Sequence, residues 1–131
     1  MLLVDDHGLF RDALESVLTA TGSVDVVGRG SNGREAVELA AALEPDVIVI
    51  DIEMPLLDGL EATRRIRAEA GRGVKIFVLS GSEVPSDVAR ARAAGASGFF
   101  RKDAPLAAGT DQSQGDGAAA ARQEPALLEL R

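Results

Sequence analysis

Residues 45–67 read PDVIVIDIEMPLLDGLEATRRIR. In the segment Asp46–Asp51, Val47, Ile48, Val49 and Ile50 follow one another without a polar residue between two aspartates. A short, continuous β-branched run of this kind reads as a strand buried on both faces, as in the middle of a parallel sheet. A loop carrying Pro55 and Gly59 comes next, and Leu60–Ala70 then shows helical patterning with arginines along one side. A buried strand that runs through a loop into a helix is the front half of a βαβ unit.

The same unit recurs on both sides of this stretch. Leu2–Asp5, Val24–Gly28, Val74–Ser80 and Gly98–Phe100 are the other expected strands, rich in Val, Ile, Leu and Phe. Leu9–Ala20 places Phe10, Leu14, Val17 and Leu18 at helical spacing. Asn32–Leu43 is a second helix with Asn32 as its N-cap, and Pro85–Ala94 is a fourth that ends at Gly95. Five strands alternating with helices predict an α/β fold with right-handed crossovers and a doubly wound parallel sheet.

This pattern occupies residues 1–105. Residues 106–131 differ: Ala107–Ala118 (AAGTDQSQGDGA) holds no large apolar residue and has the composition of a flexible linker. Ala119–Glu124 has helical character, Pro125 interrupts it, and Ala126–Arg131 is too short to be a stable helix alone. A five-stranded doubly wound sheet normally has a helix after its last strand. Here that fifth helix is poorly encoded. Either a marginal helix docks from the tail, or apolar sheet surface stays exposed.

The composition excludes several classes of function. At 131 residues and 13.6 kDa the chain suits one domain. It has no Trp or Tyr and four Phe, so its core is aliphatic. The absence of Cys excludes disulfides, thiolate metal sites and a cysteine nucleophile. The single histidine, His7, excludes a multi-histidine metal centre and reads as a loop or first-turn residue. With 14 basic against 21 acidic side chains, the net charge of −7 argues against non-specific nucleic-acid binding. Arg64, Arg65 and Arg67 accordingly read as a solvated helix face. No apolar run nears the ~20 residues that span a bilayer, and the start of the chain lacks a signal pattern. The expectation is a soluble, cytoplasmic protein that does not engage membranes.

In an open α/β sheet, ligands bind outside the carboxyl ends of the strands. The first expected strand ends in Asp5 and Asp6, the third in Asp51 and the fourth in Ser80, while Lys102 follows the fifth. Any one of these could be a helix cap or a solvated side chain. Their conjunction at four strand ends is what points to chemistry. Two carboxylates ~4 Å apart repel by about 4 kcal/mol at an effective dielectric of ~20, and a divalent cation offsets that. Mg2+ is commonly held by one or two carboxylates together with phosphate oxygens. Lys102 offers a point charge and Ser80 a hydroxyl donor for a phosphate. Asp51, alone at the end of the central strand, is the better nucleophile candidate, and Asp5 with Asp6 the better metal holder.

These residues resemble the receiver domain of two-component response regulators. The matching segments are LLVDDHGLFRDAL, PDVIVIDIEMPLLDGLEATRRIR, VKIFVLSGSE and AGASGFFRKDAP, which together cover roughly residues 2–105. The resemblance implies the sheet order 2-1-3-4-5 of flavodoxin-like folds. It implies Asp51 as phosphoacceptor, a Mg2+ site at Asp5, Asp6 and Asp51 with the backbone carbonyl of Glu53, and Ser80 and Lys102 as phosphoryl-stabilising groups. Phe99 would be the aromatic switch. A sensor histidine kinase would be the phosphoryl donor, a downstream protein the recipient of the signal, and a homodimer is possible for the family. DDHGLFR and FFRKDAP look most like the subfamily that carries a C-terminal helix-turn-helix DNA-binding domain, which the remaining residues do not encode. The first strand is shorter than the family's by two or three residues.

Three other functions compete. Gly28–Gly33 reads GRGSNG, which fits the G-x-G-x-x-G dinucleotide fingerprint, with Asp51 about 20 residues on. A nucleotide-binding enzyme would leave Asp5, Asp6, Ser80 and Lys102 without roles, however. Gly28 and Gly30 read more simply as a strand exit, and Gly33 as close packing at a helix start. A phosphohydrolase with an aspartyl-phosphate intermediate would need a positioned acid/base near Asp51. Glu53 stands two residues on, where such enzymes commonly have Asp. The third is an interaction module independent of phosphorylation, favoured by the short first strand and the weak fifth helix. The reading that uses every strand-end residue is the phosphoacceptor receiver, which catalyses only its own phosphorylation and slow dephosphorylation.

Overall fold

A computed structural model of the chain describes residues 1–20, 22, 24–81 and 85–102. Its elements in order are β1 (Leu2–Val4), α1 (Gly8–Thr19), β2 (Gly28–Gly30), α2 (Gly33–Leu43), β3 (Val47–Asp51), α3 (Gly59–Ala70), β4 (Lys75–Ser80), α4 (Pro85–Ala93) and β5 (Gly98–Arg101). The strands pair in parallel in the order β2-β1-β3-β4-β5, as the resemblance implied. The expected fifth helix and the C-terminal extension lie outside the described residues.

Strand periodicity sorts the core into two layers. Leu2, Val4, Ile48, Ile50, Ile76 and Val78 pack with Ala36 of α2, Leu60 and Ile66 of α3 and Ala91 of α4. Leu3, Val47, Val49, Phe77 and Leu79 face the other way, against Leu14 and Leu18 of α1. Because the central strands are covered on both sides, neither face tolerates a polar residue, which is why VIVI runs uninterrupted.

The second strand departs from expectation. Val24–Gly28 has the stronger β composition, yet the strand is Gly28–Gly30, and Val24–Val27 is irregular. Pairing decides this. Leu2 aligns with Gly28, and Val27 N–H donates to Met1 O at 2.9 Å. In that register the ladder with β1 runs from Gly28 to Gly30, and before it Asp25 O accepts from the Met1 nitrogen at 2.7 Å. Val24 is nonetheless buried beside α1. Gly28 therefore opens the strand instead of marking its exit, which falls at Gly30.

Helix starts follow their caps. Asn32 accepts from Glu35 N–H at 2.9 Å, and Glu35 Oε1 in turn accepts from Ser31 N–H at 2.7 Å. Asn32→Ala should cost about 1 kcal/mol, read as a lower urea midpoint with an unchanged slope. Asp58 caps α3 in the same way, accepting from Glu61 N–H at 2.8 Å. Gly95, at φ +102°, occupies the left-handed position after α4.

The arginines of α3 are not one solvated face. Arg64 and Arg65 are, each pairing with Glu61. Arg67 instead folds back to donate to the carbonyls of Gly71, Val74 and Gly95 at 2.6–3.0 Å, which ties the end of α3 to the start of β4 and the turn after α4.

Candidate functional site

Parallel register brings the carboxyl ends of the strands to one edge. Asp51 aligns with Leu79, and Ser80 with Arg101, so Lys102 leaves β5 beside the end of β4. Lys102 N–H extends the ladder by donating to Ser80 O at 2.7 Å. Asp5 extends β1 likewise, its N–H donating to Gly30 O at 3.0 Å. The strands thus aim their terminal side chains at a common point.

Two elements fix Asp51. Gly59, the first residue of α3, sits so close to β3 that a Cβ there would lie 2.0 Å from Asp51 O. Gly59 N–H also donates to Ile52 O at 3.0 Å. Gly33, at the start of α2, is packed against the loop between β3 and α3, where a Cβ would lie 1.9 Å from Leu57 O. The third glycine of the GRGSNG stretch is thus occupied by protein backbone, and the first two are strand residues. The tight phosphate-cradling turn of a dinucleotide site is not formed.

Of the residues picked out from the sequence, Asp5, Asp6, Asp51 and Lys102 converge. Asp5 and Asp51 are 2% and 1% exposed, and Asp6 is more open. Lys102 Nζ lies 2.8 Å from Asp5 Oδ2 and 3.4 Å from Asp51 Oδ2. Ser80 is fully buried at the end of β4. Glu53 is exposed, and its backbone N–H bonds to the Asp51 carboxylate. Phe99 is apart from the cluster: half-buried on β5, it packs on the core layer under α2, α3 and α4.

Three participants were not anticipated. His7 is the N-cap of α1, as a loop residue should be, but its Nδ1 lies 3.2 Å from Asp5 Oδ1, 3.3 Å from Asp6 Oδ1 and 3.1 Å from Lys102 Nζ. Its place directly after Asp5-Asp6 was the available signal. Arg11, one turn into α1, donates to Asp5 O, Gly30 O and Ser31 Oγ at 3.0–3.1 Å and so braces the ends of β1 and β2. Phe10 lies under the ammonium of Lys102, 4.9 Å from ring centre to Nζ.

The electrostatics are those of a site short of positive charge. Burial pushes the Asp51 carboxyl up to about 6, and the charge of Asp5 adds to the rise, while Lys102 and the Glu53 N–H oppose it. Among the described residues, Asp51 Oδ2 is buried without a hydrogen-bond partner and faces the Lys102 ammonium at 3.4 Å. One donor atom from each of Asp5, Asp6, His7 and Asp51 falls within 4.8 Å of the others. Such an oxygen-rich set fits a hard divalent cation.

Comparison with known proteins agrees with this arrangement. Residues 1–111 match the family model described as response regulator receiver domain. The nitrate/nitrite response regulator protein NarL of Escherichia coli is 38% identical over 103 residues, which are 79% of this chain and 47% of that protein. A protein-glutamate methylesterase/protein-glutamine glutaminase of Pseudomonas aeruginosa is 51% identical over 77 residues, 59% of this chain and 21% of that protein. The chain thus spans about half, or less, of the length of these curated relatives. Among solved structures, the signal receiver domain of the putative response regulator NarL from Mycobacterium tuberculosis superposes with a TM-score of 0.75 at 31% identity, covering 95% of this chain and 94% of that one. Sheet order, strand-end carboxylates and family match coincide over the same residues. The chain belongs to the response regulator receiver domain family, the signalling modules of two-component systems.

Proposed function

We propose that the chain accepts a phosphoryl group on Asp51 from a sensor histidine kinase and passes the signal to a downstream protein through a change of its surface. The observation that carries this reading is the Asp51 carboxylate: buried, raised to about 6, with Oδ2 facing the Lys102 ammonium at 3.4 Å. In the transfer, an Asp51 oxygen forms a bond to phosphorus as the donor's bond to phosphorus breaks. Asp5, Asp6, Asp51 and the Glu53 carbonyl would hold Mg2+, which supplies charge neutralisation for the incoming phosphoryl oxygens. Lys102 already stands between Asp5 and Asp51 and would pair with the new dianion. Ser80, at the next strand end, would donate its hydroxyl to a phosphoryl oxygen.

Phe99 is proposed as the readout. It lies on β5 against α4, where Val88, Ala91 and Arg92 of α4 border the same small gap. Movement of Ser80 toward the phosphoryl group would leave room on this side of β4 and let the ring turn inward, biasing a two-state surface. Two-component receivers of this kind work in the cytoplasm, and that location is proposed here. No helix among the described residues is long and apolar enough to cross a membrane. Catalysis of any reaction but its own phosphorylation and dephosphorylation is not proposed.

The test is intact-mass measurement after incubation with acetyl phosphate, with and without Mg2+, beside Asp51→Asn. The expected result is one phosphoryl adduct that requires Mg2+ and is absent from Asp51→Asn. An adduct of equal yield on Asp51→Asn would sink the assignment. No adduct on a folded wild-type protein would favour an interaction module that works without phosphorylation.

A further inference from the structure

His7 has no role in the phosphoryl-transfer reading, yet its Nδ1 reaches the acidic cluster from an exposed ring. As N-cap of α1 its side chain makes no capping bond, and its backbone N–H donates to Asp5 Oδ1 at 2.8 Å, which brings the ring to the cluster. Nδ1 is 3.2 Å from Asp5 Oδ1, 3.3 Å from Asp6 Oδ1 and 3.1 Å from Lys102 Nζ. Nδ1 thus faces two carboxylate oxygens and an ammonium at once, and in the tautomer that leaves it a lone pair it meets Lys102 as it would meet a metal ion. Lys102 Nζ therefore sits among Asp5, Asp51 and His7 as a cation within a mixed oxygen and nitrogen donor set. A second observation is independent of the ring: Asp51, 1% exposed, aims Oδ2 into the cluster, where among the described residues it has no hydrogen-bond partner and faces the Lys102 ammonium at 3.4 Å.

The donor types decide which ion gains most. Mg2+ demands oxygen ligands and gains nothing from an imidazole. Zinc and its neighbours bind imidazole and carboxylate together and exceed Mg2+ in affinity wherever nitrogen is offered. We propose that His7 Nδ1 is a metal ligand, and that with Asp5, Asp6 and Asp51 it makes the site prefer zinc-like divalent ions to Mg2+. This rests on the reading of the acidic cluster as a metal centre. A zinc-like ion would take the position between Asp5 and Asp51 that the Lys102 ammonium holds, and so compete with Mg2+ for the carboxylates that activate the site.

The experiment is calorimetric titration of Mg2+ and of Zn2+ into wild type, His7→Ala and His7→Gln, with Co2+ followed by its visible absorption. His7→Ala should weaken Zn2+ and Co2+ roughly tenfold or more, change Mg2+ by less than about twofold, and alter the cobalt spectrum. Circular dichroism checks that both variants fold, and His7→Gln, which keeps a polar side chain at the helix start, should show the same selective loss. Equal Zn2+ affinity in wild type and both folded variants overturns the His7 assignment while leaving the Mg2+ reading in place. A wild type that binds neither ion overturns both.

Discussion

Gly59→Ala should lower the free energy of unfolding by about 3 kcal/mol or more, a large share of the ~5–15 kcal/mol that holds a domain of this size. The added Cβ would lie 2.0 Å from Asp51 O, 2.9 Å from Asp51 C and 3.0 Å from Ile52 Cα. All three are backbone atoms, so no rotamer change relieves the contact. The first turn of α3 must back away from β3, which strains the Gly59 N–H to Ile52 O bond and the buried bond from Thr63 Oγ1 to Gly59 O, 2.7 Å long. The β3 end of that displacement carries Asp51, so phosphorylation should fall with stability. Urea unfolding of the purified variant measures the loss. A change below about 1 kcal/mol would mean that α3 yields freely and that Asp51 is not held by its approach.

Asp51→Asn should do the opposite to stability. In metal-free buffer at neutral pH it is expected to be more stable than wild type by about 2–3 kcal/mol, since each tenfold change in proton affinity is worth about 1.4 kcal/mol. The Asp51 carboxyl is raised from 3.8 to about 6 in the folded protein, first by burial and then by the charge of Asp5. The folded state therefore holds this proton more tightly than the unfolded chain. Stability from this group is fully present below about pH 4 and is lost as pH rises through about 6. The neutral amide does not titrate, so the advantage of the variant should open between those values and vanish in acid. Parallel unfolding at neutral pH and near pH 4 checks it. An unchanged gap would show that desolvation of Asp51 costs the fold nothing. Added Mg2+ should narrow the gap by stabilising wild type alone.

What the sequence disclosed of this site follows from where α/β sheets put their chemistry. Asp5, Asp51 and Lys102 could be found because each stands at or just after the end of a strand, and the topology then has no freedom but to gather them, with Ser80 at the same edge of the sheet. β2 was misplaced because VDVV has the β-branched composition and GRG does not, whereas strand formation there depends on the register with β1. Arg67 was misread for a similar reason. Its acceptor on Gly95 lies 28 residues further along the chain, beyond any local pattern. The ring of His7 was within reach of inference, since it adjoins the Asp pair, but only the turn after β1 shows that its Nδ1 faces Asp5 while most of the side chain stays exposed.

The ion pair between Lys102 and Asp5 joins residues 97 apart in the chain, and it spans the sheet from β5, an outermost strand, to the end of β1. It acts as a clasp on that outer strand, which among the described residues otherwise pairs with β4. A sheet fastened in this way opens from its margin: whatever draws the ammonium off Asp5 should let the amides of β5 exchange with solvent sooner, while β1 and β3 stay protected. The acidic cluster then governs the sheet's local opening as well as its charge. Everything after residue 102 is attached to the strand most affected.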